Sequence, residues 1–501
     1  MKKQTMLFGG MLFVLFLFLN GIGHAATINA ATCSLADVQS AVNSAVTGDT
    51  VKVPAGSSTW TTYVTIPNDK KITLQGAGKS STVITMSSAG TAINLGKSGS
   101  RITGIGFINA GIFSDGYDFR VDHCSMFFDS WANGISVYST ANPAVIPTGV
   151  IDNNTFINMR VLVSGSNFLL SENGVQNGLW ATQLNLGSSE AVYIEDNIYT
   201  KGTGGINAVD GNYGGRFVFR YNTVDGLNLE AHSVQNYPTS NRAIRKWEIY
   251  GNIVNNTYAF TFTPYTIRGG TGIIFSNSSI GNWTYNNIMM DNVRDSATYT
   301  ADNNTDGGGK CDGDHIFDGN QDATGWPCRD QIGTSYDSVQ WVYSPVGSWS
   351  QTLTPAYIWN NKKENNANIP VFIREYSQNH IIPNRDYYDY NASFNGTSGV
   401  GCGTLAARPA SCTTGVAYWA TNQSCTDLTG MVGANPTTPI AGTLYKCTAP
   451  NTWTAYYTPY TYPHPLQGIS NNISSKGATV INTVGGLNAI DMVGGLNVIN
   501  Q

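Results

Sequence analysis

The concentration of ionisable side chains between residues 216 and 268 is the feature of this sequence that could support chemistry. Only 12% of the chain is charged, so a local cluster of this kind is informative. Arginine is always cationic and can hold a carboxylate through two parallel hydrogen bonds, whereas lysine or histidine can accept a proton. The candidate functional residues are Arg216, Arg220, Glu230, His232, Arg242, Arg245, Lys246, Glu248 and Arg268.

Proton abstraction from an acidic substrate is the chemistry that these residue types favour. His232 and Lys246 are the candidate bases. Arg242, Arg245 and Arg268 are candidates for clamping a carboxylate or supplying a proton. The alternative is structural, because clustered charges also form ion pairs on a strand face and a histidine can cap a turn.

The remaining charged residues of the cluster are candidates for substrate binding. Arg216 and Arg220 lie on one strand-like segment, where they can contact an anionic ligand. Glu230 and Glu248 could hold a cation or orient the basic groups.

A recurring pattern between residues 150 and 287 predicts the elements that position these side chains. An apolar residue is followed three positions later by asparagine, within segments rich in Val, Ile, Phe and Tyr. The asparagines are Asn154, Asn197, Asn222, Asn252 and Asn277, with gaps of 43, 25, 30 and 25 residues. Such periods indicate stacked repeats. Most gaps correspond to one coil of a β-solenoid, whereas the length of the first suggests two coils. Inward asparagines on successive coils are expected to form a ladder of side-chain amides.

The segment from residue 34 to residue 78 carries a distinct entry pattern. Residues 34–45 predict a helix capped by Ser34, with an apolar face that includes Val38 and Val42. Short strands follow at residues 50–56 (TVKVPAG) and 72–78 (ITLQGAG). A helix placed there would cover the open end of a solenoid. These residues resemble the entry segment of the pectate lyase-like superfamily of right-handed parallel β-helices, over roughly residues 33–300.

The resemblance implies an all-β fold, a right-handed parallel β-helix with an N-terminal capping helix. It also implies that Arg, Lys and sometimes Ca²⁺ act in β-helix lyases on an acidic polysaccharide. β-Elimination of a uronate-containing polymer requires neutralisation of the carboxylate, a base for the C5 proton and an acid for the leaving oxygen. The sequence departs from the superfamily's lyases in two respects. It has no row of aspartates of the pectate lyase kind, and it only loosely matches the Lys and Arg pair on adjacent coils.

Two other functions remain open at this stage. A glycoside hydrolase would need carboxylates facing one glycosidic bond, for which Asp210, Asp225 and Glu230 are available without the close aspartate pair of β-helix polygalacturonases. A non-catalytic solenoid that binds polysaccharide or builds a surface structure, such as an adhesin, is the other alternative.

A second constellation lies between Cys311 and Cys328. Oxygen-bearing side chains two positions apart, separated by glycines, could bind a hard cation such as Ca²⁺ in a structural role. An Asx-rich turn closed by a disulfide explains the same residues without a metal and is the favoured interpretation. The candidate ligands are Asp312, Asp314, Asp318, Asn320 and Asp322.

Composition limits the classes of partner and the cellular location. A formal charge of −5 argues against a nucleic-acid-binding protein. Residues 1–26 resemble a secretory signal peptide, with two lysines, an apolar run too short for a comfortable membrane span, and a small-residue exit. We therefore expect an exported monomer, extracellular or periplasmic, with an acidic polysaccharide as its partner.

The cysteines and the last hundred residues suggest a separate C-terminal region. Disulfides are expected for an exported chain: Cys311 with Cys328, and two bridges of open connectivity among Cys402, Cys412, Cys425 and Cys447. The resulting division is a β-helix over residues 27–395 with a loop excursion near 300–340, a cysteine- and aromatic-rich cap region over 396–468, and a tail over 469–501. A nine-residue duplication in that tail predicts either a poorly ordered end or an interaction strand.

Overall fold

The computed structural model describes most of the chain. The described residues are 25–139, 145–165, 175–176, 180, 182–204, 207–233, 243–292, 330–337, 341–342, 351–374, 378, 380–468, 491–493 and 496–498. Those from 26 to 468 belong to one compact unit, and residues 491–498 belong to another, in which Asp491–Val493 pairs antiparallel with Leu496–Val498. Residues 1–24 of the expected signal peptide lie outside the described residues, as does most of the tail duplication.

Two long sheets of parallel strands form the main unit, which confirms the parallel β-helix. We call them sheet 1 and sheet 2. Strands succeed one another in each sheet by one coil at a time, so every coil lies on its predecessor. The strands of sheet 1 are Thr27–Asn29, Thr50–Val53, Thr73–Gly76, Arg101–Thr103, Phe119–Asp122, Gly149–Asp152, Val192–Glu195, Arg216–Arg220, Lys246–Tyr250, Thr271–Phe275, Ala356–Trp359 and Tyr387–Tyr388.

Sheet 2 covers the other faces of the solenoid. Its long early strands bend, and each is continued in later coils by two shorter strands, as when Thr155–Ser164 pairs with both Ile198–Thr200 and Asn207–Asn212. Its strands are Gly56–Trp60, Val64–Thr65, Thr82–Asn94, Gly106–Ser114, Ser125–Tyr138, Thr155–Ser164, Ile198–Thr200, Asn207–Asn212, Thr223–Asp225, Asn228–Ala231, Ile253–Thr261, Tyr265–Ile267, Gly281–Trp283, Ile288–Met290 and Val371–Ile373.

A tight turn joins sheet 1 to sheet 2 on each coil, and its geometry fixes the asparagine pattern. One residue in the left-handed backbone region reverses the chain, for example Asp196 at φ 61° and Gly251 at φ 69°. The next residue points inward. Its amide nitrogen donates to the amide oxygen of the asparagine one coil further on, at 3.0 Å from Asn197 to Asn222 and 3.1 Å from Asn222 to Asn252. The expected ladder is therefore confirmed, and it satisfies buried polar groups inside the core.

The ladder is longer and more regular than the sequence period indicates. Asn154 donates to Asn197 at 3.1 Å, so the first gap is one coil with an insertion and the expectation of two coils is wrong. Asn277 donates to Asn361 at 2.8 Å, which adds a rung that the sequence pattern did not reveal. Each of these two long gaps is therefore a single coil with a longer loop, and the geometry of the turn that carries the asparagine is unchanged.

The predicted entry helix is confirmed at Leu35–Ser44. The hydroxyl of Ser34 accepts a hydrogen bond from the backbone of Asp37 at 3.2 Å, which caps its first turn. Val38 and Val42 are buried in the core, where the helix packs on the first strands of both sheets. The helix thereby covers the apolar end of the first coil.

The C-terminal region forms its own small sheet, stapled by two disulfides. Cys402 bonds to Cys425 and Cys412 to Cys447, which resolves the open connectivity. Cys33 and Cys124 are buried free thiols, contrary to the default expectation of pairing, because each faces the solenoid core. Cys311 and Cys328 lie outside the described residues. The strands are Val400–Gly403, Ala417–Ala420, Thr443–Ala449 and Thr452–Tyr457.

This C-terminal region packs on the outer face of sheet 1. Tyr250, Phe275 and Trp359 stack on successive coils with ring centroids 4.7 Å and 4.3 Å apart. Trp419 and Tyr457 of the C-terminal region pack against them in one apolar cluster. The C-terminal aromatics therefore serve as a cover, and sheet 1 is buried on both faces from the strand Gly149–Asp152 onward.

Short elements complete the described structure. A 3₁₀ turn at Glu364–Asn366 lies between the strands Ala356–Trp359 and Val371–Ile373, and a second lies in the C-terminal region at Leu405–Ala407. A four-residue helix closes that region at Pro465–Gly468. Two antiparallel pairs lie in the loops: Val175–Gln176 with Trp341–Val342, and Thr334–Asp337 with Gln351–Leu353. Among the described residues, no helix is both long and apolar enough to cross a membrane.

Candidate functional site

One face of sheet 2 carries pairs of outward side chains on five successive coils. Alternate residues of a strand point to the same side, and the residue between each pair faces inward; Ala231, Ile267 and Met290 are in the core. Parallel pairing aligns Glu230 with Thr266 and Met289, which stacks the pairs in rows. The pairs are Asp210 with Asn212, Glu230 with His232, Thr266 with Arg268, Met289 with Asp291, and Phe372 with Arg374.

These rows form the floor of an open groove with a volume of about 600 Å³. The groove runs across the coils and joins residues far apart in sequence. Phe372 follows in the row below Met289, although it is not among the residues that line the groove. Further lining residues are Arg160, Asn207, Tyr213, Asn228 and Phe262.

His232 lies at the centre of the groove with a partner on each ring nitrogen. Its Nδ1 lies 2.5 Å from Oδ1 of Asp210 and its Nε2 lies 3.2 Å from Nη2 of Arg268. The simplest assignment gives the proton to Nδ1, which donates to the carboxylate, so that Nε2 accepts from the guanidinium. The side chain is 17% exposed, and Nε2 is therefore a potential base next to a cation.

The two carboxylates beside His232 are held by arginines. Oδ2 of Asp210 pairs with Arg160 at 2.5 Å. Burial opposes ionisation of Asp210, but the charge of His232 in its protonated form, the hydrogen bond from His232 and the charges of Arg160 and Arg268 outweigh it, so the pKa of Asp210 is lowered. Glu230 pairs with Arg268 and accepts a hydrogen bond from the amide of Asn207 at 2.5 Å. This network fixes the orientation of the imidazole.

Tyr213 supplies a hydroxyl to the same groove. Its backbone has φ 51°, a left-handed conformation that is unusual for a bulky side chain. Burial and the charge of Asp210 raise the pKa of its hydroxyl. The phenol therefore stays protonated at neutral pH and can act as a proton donor.

Asp210, Glu230 and His232 also fit the distance criterion for a metal site. Each offers one ligand atom, and these atoms lie within 4.8 Å of one another. Both carboxylates, however, already contact guanidinium groups, whose positive charge occupies the position where a cation would be favoured. The arrangement is a complete ion-pair network, and we derive no chemical step through a metal.

The structure separates the residues of the predicted cluster into two groups. Glu230, His232 and Arg268 come together in the groove. Arg216, Lys246 and Glu248 lie instead on the outer face of sheet 1, where each is buried. The cluster that appears continuous in sequence is thus divided between two faces of the solenoid.

Lys246 and its neighbours hold the segment around residues 182–190 against sheet 1. The ammonium group of Lys246 donates to the carbonyl of Asn185 at 2.9 Å and lies 3.5 Å from Glu248. Burial lowers the pKa of Lys246 to about 8. A base with this pKa would suit catalysis, but the side chain has no exposed surface on which a polymer could reach it.

Arginines bind the same face to the covering segments. Arg245 donates to the carbonyl of Thr182 at 2.8 Å, with its guanidinium 5.3 Å from the centroid of the Trp180 ring. Arg220 pairs with Glu195 and donates to the carbonyls of Tyr460 and Thr461 at 2.7 and 2.8 Å. These contacts anchor chain segments and leave the arginines no access to the groove.

The other predicted site residues are not among the described residues. Arg242 is one of them, and the five candidate metal ligands of the second constellation are the rest: Asp312, Asp314, Asp318, Asn320 and Asp322. Their roles stay predictions.

Several groove residues escaped the sequence analysis. Arg160, Asn207 and Tyr213 were not considered, and Asp210 was considered only as a hydrolase carboxylate. The signal that could have found the groove is the repeated pair of outward residues around one small or apolar residue, as in residues 230–232 (EAH), 266–268 (TIR) and 372–374 (FIR).

Comparison with known proteins assigns no family to this chain. No protein-family model matches the sequence, and no curated protein matches it. Among solved structures, an alginate lyase from Paenibacillus sp. str. FPU-7 matches at 15% sequence identity and a TM-score of 0.24, over 53% of this chain and 93% of that chain. A match of this degree assigns neither a family nor an activity, so the function has to be argued from the groove.

Proposed function

We propose that this protein is an exported polysaccharide lyase that cleaves a uronate-containing polymer by β-elimination in the groove on sheet 2. The observation that carries the proposal is the position of His232, whose Nδ1 is held by Asp210 while Nε2 lies beside Arg268 in an open groove. Elimination needs this combination of a base and a cation, because the proton to be removed lies next to the substrate carboxylate.

The proposed reaction assigns one step to each side chain. Arg268, together with Arg160 at the groove, neutralises the uronate carboxylate and thereby acidifies the C5 hydrogen. Nε2 of His232 takes that proton, and the electron pair of the C5–H bond forms the C4–C5 double bond. The bond from C4 to the bridging oxygen breaks, and the hydroxyl of Tyr213 protonates the leaving oxygen.

Asp210 acts in this scheme as a positioning residue. Its lowered pKa keeps it ionised over the neutral range, and it stabilises the imidazolium that forms when His232 accepts a proton. A carboxylate on the far nitrogen plays the same part in hydrolytic triads.

Export is part of the proposal. Two disulfides in the C-terminal region are compatible with an oxidising compartment. An extracellular or periplasmic location would place the groove where acidic polysaccharides occur.

A glycoside hydrolase is the second candidate, because ligand oxygens of Asp210 and Glu230 lie within 4.8 Å of each other. This upper limit places the two carboxylates no further apart than those of a retaining glycosidase, about 5 Å. One of the two carboxyls would have to serve as an acid with a raised pKa. The lowered pKa of Asp210 and the arginine paired with Glu230 oppose that role, so elimination is favoured.

The deciding experiment incubates the purified protein with alginate, pectate, glycosaminoglycans and bacterial capsular polymers. Elimination predicts ultraviolet absorbance from unsaturated uronate ends, and the His232→Gln variant should lose it. New reducing ends without that absorbance would identify a hydrolase. Binding without any cleavage, by a protein whose circular dichroism shows intact β-structure, would support the non-catalytic solenoid.

A further inference from the structure

Two aromatic rings are exposed side by side at one edge of the groove. Phe262 is 44% exposed and Tyr285 is 54% exposed. Their ring centroids lie 5.4 Å apart at an interplanar angle of 82°. Edge-to-face contact stabilises the pair, but it leaves a large apolar area in water that the fold does not use.

The backbone holds these rings in a fixed position. Each precedes a strand of sheet 2, Phe262 before Tyr265–Ile267 and Tyr285 before Ile288–Met290. The backbone nitrogen of Tyr285 donates to the carbonyl of Phe262 at 2.9 Å, which ties the two turns together. The pair is therefore preorganised, and binding a ligand there would cost little ordering of the chain.

The rings are continuous with the groove, and a cation lies next to them. Phe262 lines the groove together with Met289 and Arg374. The guanidinium of Arg374 is 5.8 Å from the centroid of the Phe262 ring and pairs with Asp291 at 3.2 Å. A ligand that lies on the rings can therefore present an anionic group to this arginine.

Further along the same groove edge, polar side chains take the place of the aromatic rings. There the edge is formed by the amides of Asn207 and Asn228, which belong to the two preceding coils. A polymer that crosses the coils would meet hydrogen-bonding groups at one end and an apolar platform at the other. His232 follows the same strand as Asn228, one coil before the strand that Phe262 precedes.

We propose that Phe262 and Tyr285 form a sugar-binding subsite, on which one ring of the acidic polymer stacks through its C–H face while Arg374 pairs with its carboxylate. The inference rests on the proposed function, because it places this subsite beside the bond that is cleaved. It predicts the direction in which the polymer lies along the groove, and it predicts that the sugar on the aromatic rings is a uronate.

Direct binding tests the subsite separately from catalysis. The protein and its Phe262→Ala, Tyr285→Ala and Arg374→Gln variants are titrated with alginate and pectate and with the carboxyl-reduced, neutral forms of both. Tyr63→Ala is the matched control, since Tyr63 is 47% exposed on an early coil outside the groove. Circular dichroism establishes that each variant is folded.

The expected result is about tenfold weaker binding for each aromatic variant and unchanged binding for Tyr63→Ala. Arg374→Gln should lose most of the preference for the acidic over the reduced polymer. If the aromatic variants bind as tightly as the unmodified protein, the subsite is wrong, whatever the lyase assay gives. If polymer binds through these rings but is never cleaved, the subsite stands and the lyase proposal fails. Absence of binding to every polymer would overturn both.

Discussion

His232 is the side chain on which the proposed elimination depends, because a base has to reach the substrate while its orientation is held. Two partners fix the ring, which lines the groove, and Nε2 becomes free to take a proton when the guanidinium of Arg268 turns to a substrate carboxylate. Lys246 shows the contrast. Its pKa of about 8 would suit a base, but the residue is fully buried on sheet 1. A side chain with a suitable pKa cannot act as a catalytic base if the substrate cannot reach it.

Substitution of these two residues should separate activity from stability. We expect His232→Gln to lower kcat by about 10² to 10⁴-fold with little change in the urea midpoint, because only the proton acceptor is lost. Lys246→Met should retain kcat, with its main effect on unfolding, since it removes contacts to the segment around Asn185. Steady-state kinetics and urea unfolding of both variants test this. A Lys246→Met protein that is folded but inactive would contradict the assignment.

At the scale of elements, the turn between the sheets explains why one motif was readable from sequence. Each turn needs a left-handed residue and then an inward amide that bonds the next coil. That requirement recurs on the coils from Asn154 to Asn361 and leaves asparagine at a fixed offset from an apolar residue. Asn361 was missed because 84 residues separate it from Asn277, which hides the period although the geometry is the same.

The face of each strand was harder to predict than its existence. Alternation distinguishes two faces of a strand, but it indicates the solvent side only when one face is exposed. In sheet 1 both faces are buried from the strand Gly149–Asp152 onward, since the C-terminal region and the segment around residues 182–190 cover the outer one. Charged residues such as Arg216 and Glu248 therefore looked like surface groups in sequence but are internal anchors.

The ladder should carry a measurable part of the stability. Asn222→Ala would leave the backbone nitrogen of Asn197 and the carbonyls of Ile194 and Arg220 without their partner. We expect a loss of about 3 kcal/mol or more in the free energy of unfolding. Asn43→Ala, on the exposed side of the entry helix, should change it by less than about 0.5 kcal/mol. Equal effects in urea unfolding would show that the ladder is not a special source of stability.

At the scale of the whole molecule, the two sheets divide the work. Sheet 2 presents the groove, whereas sheet 1 is closed by the C-terminal region through aromatic stacking and the anchoring of residues 460 and 461 by Arg220. The contacts that hold the C-terminal region on sheet 1 are therefore separate from the groove residues of sheet 2 that we propose bind substrate. A perturbation of the cover should act on stability first and on catalysis only through unfolding.

His464 makes that cover sensitive to acid. Burial, together with the charges of Arg220 and Arg120, lowers its pKa to about 3. Between about pH 6.5 and pH 3 the unfolded chain binds a proton that the folded chain excludes, so this residue's contribution to stability is lost as the pH falls through that range. Neighbouring Glu195 acts in the opposite sense, because burial raises its pKa.

The contribution of His464 can therefore be isolated only by difference. We expect the melting temperature of the unmodified protein to fall more steeply from pH 6.5 towards pH 3 than that of a His464→Gln variant, which cannot take up the proton. Near pH 7 the variant should be the less stable of the two, because it loses the ring contact with Tyr193 at a centroid distance of 4.6 Å. Parallel curves for the two proteins would mean that the cover is released by other groups. A crossing of the curves in acid would identify His464 as the residue through which low pH loosens the cover while the groove on sheet 2 keeps its own ion pairs.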